Sequence, residues 1–123
     1  MVTKDNIERW PNKIIYQKTD RVLNISFNTG EEFSMSVEYL RVESPSAEVM
    51  GHGGVKKIIS GRKYVGITEI EEVGNYGIRI IFDDLHDTGI YSWETLYKLG
   101  LDYEDNWKKY LLELQNRGLQ RDP

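Results

Sequence analysis

Two histidines, His52 and His86, are the only imidazoles in a chain of 123 residues that has no cysteine. They set the limits of the side-chain chemistry. His52 or His86 with Asp83, Asp84, Asp87 or Glu48 could hold zinc or manganese, because imidazole and carboxylate suit those ions. The ordinary alternative for His86 is a ring bonded to backbone at the start of a strand. A non-haem iron site needs His-x-Asp/Glu plus a distant His. His52 is followed by Gly53-Gly54 and His86 by Asp87-Thr88, so neither supplies that motif. In His86-Asp87-Thr88 the three types needed for hydrolysis are adjacent, but neighbours in a strand point to opposite faces. Gly51-His52-Gly53-Gly54-Val55-Lys56 begins like a phosphate loop, yet Lys56 stands where a third glycine belongs, and no Gly-Lys-Ser/Thr follows.

The missing cysteines remove disulfides, thiol nucleophiles and thiolate-held clusters. Twenty acidic against 16 basic side chains give a net charge of −4. That balance argues against general nucleic-acid binding, which needs clustered Lys and Arg. Acids at 69, 71, 72, 83, 84, 87, 94, 102, 104 and 105 face only Arg79 and Lys98 over the same stretch, while Lys56, Lys57, Arg62 and Lys63 form a compact basic cluster. Such an asymmetry could steer a partner, or could be solvated turns and helix starts. No signal peptide, lipidation motif or membrane-length apolar run is read, and a cytoplasmic location is expected.

The elements that must position these residues come from periodicity. Residues 1–12 read as a flexible N-terminus with Trp10-Pro11 as an anchor, 13–118 as a single domain, and 119–123 as a tail. Ile14, Tyr16 and Lys18, then Leu23, Ile25 and Phe27, then Phe33, Met35 and Val37 alternate at period two, predicting a three-strand meander. Gly30 is placed for a left-handed position in its second turn. Ser36 is a usable N-cap for one short helix through Leu40 and Arg41, and Ser44-Pro45 reads as the start of another. A second meander is expected over Val65–Val73, Tyr76–Phe82 and His86–Tyr91. Ser92 then caps a helix to Gly100, and Asp102 opens another that ends at Arg117-Gly118. The fold class is α+β, mostly antiparallel sheet from two β-meanders, with a short middle helix and C-terminal helices.

Three stretches, Leu40–His52, Val73–Phe82 and His86–Trp93 with Leu96, together resemble the gamma-butyrobetaine hydroxylase-like N-terminal domain over roughly Lys13 to Leu101. In carnitine-pathway 2-oxoglutarate hydroxylases the domain precedes the catalytic barrel and carries a zinc held by three cysteines and a histidine. A similar domain is attached to some Mrp-type P-loop iron–sulfur carriers, and it occurs alone in bacteria. Aligned on Leu40-Arg41, the cysteine positions fall on Ser44, Ser46 and Val49, and only the histidine persists, as His86. Serine hydroxyls and a valine do not replace thiolates, so the resemblance implies a metal-free version with no cofactor.

Three functions follow as expectations. The first is a non-catalytic accessory or protein-interaction module that presents Arg41, His86, Tyr91 and Trp93 to a protein partner. The second is an accessory factor in iron–sulfur cluster assembly acting with an Mrp-type carrier. The third is a small metal-binding protein using His86 and Asp87. No catalytic residue, nucleic acid or membrane is expected, and exposed strand edges leave a homodimer open.

Overall fold

The computed structural model describes residues 8–45, 58–84 and 87–123. Its elements follow the periodicity. Strands β1 (Pro11–Gln17), β2 (Val22–Phe27) and β3 (Glu32–Ser36) form one antiparallel meander, and β4 (Ile67–Val73), β5 (Gly77–Phe82) and β6 (Asp87–Ser92) form a second. The helices are α1 (Val37–Val42), α2 (Trp93–Leu101) and α3 (Tyr103–Asn116). The architecture is α+β with two separate three-stranded sheets. No helix among the described residues is long and apolar enough to cross a membrane.

The central strand of each meander carries the core. Leu23, Ile25 and Phe27 of β2 and Ile78, Ile80 and Phe82 of β5 are buried at every second position. Leu23 lies between Tyr16 and Met35, and Ile25 between Ile14 and Phe33, so register puts one apolar face of the first sheet inward. Burying each such side chain stabilises the fold by about 1.5–3 kcal/mol. Phe27, Phe33 and Tyr97 form a ring cluster that fixes α2 on the first sheet. Tyr39 packs on Tyr103 with centroids 4.5 Å apart, which joins α1 to α3.

The short helix expected after Ser36 is present, and all six of its residues are buried. The Ser36 hydroxyl accepts from the Tyr39 N–H at 3.1 Å, satisfying a donor of the first turn. Ser92 caps α2 in the same way on Thr95 N. Asp102 precedes α3 but makes no side-chain cap. The second meander's first strand starts at Ile67, two residues later than its pattern suggests. A Cβ on Gly66 would lie 2.9 Å from an Asp83 carboxylate oxygen, and Gly66 O already accepts from Asp83 N. The helix start read at Ser44-Pro45 leads into residues 46–57, outside the described residues; Ser44 itself is buried.

Residues 119–123 do not trail away from the domain. Gly118, at φ +66°, closes α3 with Leu119 N bonded to Leu114 O and Gly118 N to Gln115 O, the paired bonds of a Schellman turn. The reversed chain then pairs with the loop ahead of β4: Gly61 N donates to Gln120 O, and Lys63 N to Arg121 O. Arg121 forks onto the carboxylate of buried Glu38, at 2.7 Å from Nη2 to Oε1. The strap runs from Leu114 to the loop after Ile59, two members of a second apolar cluster completed by Val42 and Tyr110. At the other end, Arg9 is buried and Trp10 N donates to Asn28 Oδ1, which ties these residues to the first sheet.

Two predictions follow from this packing. A Cβ on Gly77 would sit 2.5 Å from Tyr91 O and 3.0 Å from the Ile90 side chain. Gly77→Ala should therefore destabilise by about 1–3 kcal/mol in urea unfolding, and an unchanged midpoint would contradict this register. Burial pushes the phenols of Tyr39 and Tyr110 up to about 12. Their unfolded-state pKa lies near 10. Because the folded value is the raised one, their contribution to stability is intact below pH 10 and is lost as pH rises toward 12. Absorbance titration of the folded protein should show Tyr39 and Tyr110 ionising late, and Tyr39→Phe and Tyr110→Phe should each diminish that late phase.

Candidate functional site

Of the four side chains expected on one surface, the three that are described, Arg41, Tyr91 and Trp93, do not share one. Arg41, in the last turn of α1, is 1% exposed, and its Nε donates to Asp84 Oδ2 at 2.8 Å. Arg62 Nε donates to the same oxygen at 2.7 Å, and Arg62 Nη1 to Ser60 O at 3.0 Å. Tyr91 is fully buried, and its hydroxyl donates to Leu40 O in α1. Arg41 and Tyr91 are therefore interior ties between α1 and the second sheet, not a presented surface. Tyr91 pairs with core residue Ile78 and so shares its inward face. The alternation of Ile90 and Tyr91 does not reveal which of the two turns inward.

His86 and His52 lie outside the described residues, as do Ser46 and Val49. Among the described residues, no three of His, Cys, Asp and Glu converge on a point that could hold a metal. Asp87 is seen as backbone at the start of β6, opposite Ile81.

Trp93 lies where a ligand could reach it. It is the first residue of α2, half-buried, and its indole Nε1 donates to Asn75 O at 2.8 Å while its backbone N–H donates to Tyr76 O. These bonds hold the turn between β4 and β5 against the start of α2. Beside it opens a cleft of about 560 Å³. One wall is the continuous run Glu8 to Ile14; the other is Glu72, Gly74, Asn75 and Trp93. Side chains on a strand alternate between its faces. Consecutive β1 residues, Pro11 through Ile14, can therefore line a single space only if it runs along the backbone edge of the strand. Two bases, Arg9 and Lys13, and two acids, Glu8 and Glu72, balance across the lining.

Trp10 stands 46% exposed at the rim. Arg9 lies with its guanidinium carbon 4.4 Å from the Tyr97 ring centroid and Nε 3.8 Å from Glu31 Oε2. The Arg9 Nε is buried without a hydrogen-bond partner among the described residues. The Glu31 carboxyl is held below its usual range, first by the Thr29 hydroxyl and then by Tyr97 O–H and the Arg9 charge, against an opposing effect of burial. A second groove, of about 370 Å³, lies at the far end of β1 around Lys18, Arg21, Thr68 and Asp83. Between the two, Ile67 N donates to the Tyr16 hydroxyl at 3.1 Å and ties β1 to β4. Arg9, Trp10 and Asn75 were absent from the expected site. The available signal was Trp10-Pro11, since proline inside a sheet marks an edge strand.

The shared acceptor at Asp84 gives a stability prediction. Asp84→Ala would leave the buried Arg41 without that carboxylate and should cost about 3–5 kcal/mol. Arg62→Ala removes the more exposed cation and should cost less than about 1 kcal/mol. Urea midpoints of the two variants check the order, and equal losses would show that Arg41 does not depend on Asp84.

Two proteins solved in solution by NMR superpose with TM-scores of 0.82 and 0.83. The first is 37% identical, covering 94% of this chain and 91% of its own; the second is 41% identical, covering 98% and 91%. A crystal structure of a DUF971-family protein with unknown function from Acidithiobacillus ferrooxidans is 32% identical, with a TM-score of 0.63 over 73% of this chain and 91% of its own. No curated protein matches. The family model described as gamma-butyrobetaine hydroxylase-like, N-terminal, matches residues 14–97. Fold, family model and related structures agree: the chain belongs to the gamma-butyrobetaine hydroxylase-like N-terminal domain family.

Proposed function

We propose that the protein is a non-catalytic accessory module that docks a protein partner over the cleft between β1 and the β4–β5 turn. The observation that carries this reading is the placement of two tryptophans, Trp10 and Trp93, on an open cleft of about 560 Å³. Tryptophan, tyrosine and arginine dominate the energetics of protein interfaces. Tyr76, 51% exposed, lies in the turn that Trp93 anchors. Trp93 is already held by its bond to Asn75 O, so little side-chain entropy is lost when a partner packs on it.

Quantitative affinity purification with the wild-type chain and Trp10→Ala tests the reading. Trp10 is half exposed, and its side chain takes no part in the core clusters, so the variant should fold with an unchanged melting curve. Proteins enriched by the wild type should fall by about 30-fold or more with Trp10→Ala, the scale of one interface hot spot. Equal enrichment by both forms would place docking elsewhere.

A further inference from the structure

We propose that the docked element is an extended peptide segment of the partner, added as a strand to the free edge of β1; this rests on the docking reading above. Among the described residues strand β1 has one strand neighbour, β2, and so carries an edge on which no described strand lies. That edge runs along the cleft, because the consecutive residues Glu8 to Ile14 line one space. Edge N–H and C=O groups need a partner from water or from another chain, and an incoming strand supplies it at every second residue. The opposite wall is the end of β4, itself an edge strand, so a segment between the walls would bridge two sheets that do not pair with each other.

The lining argues for recognition of main chain rather than of charge. Arg9 and Lys13 are offset by Glu8 and Glu72, which leaves no net charge to select an acidic or a basic ligand. Specificity then falls to Trp10 and Trp93, against which side chains of the added strand can pack. The length of the ladder is bounded at both ends. Pro11 has no N–H and the register slips between Pro11 and Lys13, while the Tyr16–Ile67 bond closes the far end. The interval admits a strand of about four residues at roughly 3.3 Å each. A cleft of about 560 Å³ falls in the range that encloses small ligands and short segments. A ladder of about four residues is shorter than the edge strands of this chain, which run 5 to 7 residues, so the short interval fits a lone segment better than the edge of another copy.

Selection of a random-peptide library on the intact protein, followed by NMR of the chain with the enriched peptide, tests this. Binding should slow amide exchange at alternate residues of 12–15, the period-two signature of a new ladder. N-methylating every second residue of the peptide should weaken binding about tenfold per lost hydrogen bond, while methylating the intervening residues should leave it within about threefold. Trp10→Ala should weaken the same peptide. Protection without period two, equal sensitivity to every N-methyl group, shifts confined to other surfaces, or no enriched peptide would each overturn strand addition. A concentration-dependent dimer that competes with the peptide would assign the edge to self-pairing and also overturn it. If affinity purification still depends on Trp10 when the peptide results fail, docking at the cleft stands and only the strand mode falls.

Discussion

One carboxylate holds the middle of the molecule together. Asp84 Oδ2 accepts from both Arg41 and Arg62, and Arg41 belongs to a six-residue helix in which every residue is buried. A helix this short has little stability of its own. It persists because each of its two charges meets an opposite one from a distant element. Arg41 reaches Asp84 in the turn after β5, and Glu38 receives the fork of Arg121. A buried charge left alone would be expensive. The second sheet and the C-terminal segment are therefore constrained to the positions that supply those partners.

That constraint explains what could be read from the residues and what could not. The meanders, the caps at Ser36 and Ser92, and the Gly118 stop follow from local rules of period two, side-chain capping and left-handed backbone, so they stand in the sequence as written. The roles of Arg41 and Glu38 depend on residues 43 and 83 positions away. No local pattern distinguishes a buried paired arginine from a presented one. Tyr91 shows the same limit, because alternation gives two faces without saying which is inside.

The candidate site was only partly legible for a related reason. Trp93 could be singled out by type and by its place after a cap. Its cleft, however, is made where two separate sheet edges approach, and one wall begins in a polar stretch with no apolar periodicity. Arg9 is buried there by stacking on Tyr97 and by Glu31, contacts that depend on the first sheet meeting α2. Trp10-Pro11 was visible as an anchor; what it anchors beside was not.

The strap at the C-terminal end has a consequence for how the chain comes into being. Glu38 is made early, but its arginine lies 83 residues further on. During synthesis the first meander and α1 emerge with an acid that has no cation to meet, and the loop at residues 61–63 lacks the main-chain partners that residues 120 and 121 later provide. Long-range contacts of this kind delay completion of a fold. The nascent chain therefore cannot pair Glu38 with its arginine, or close the strap on residues 61–63, until residue 121 has left the ribosome.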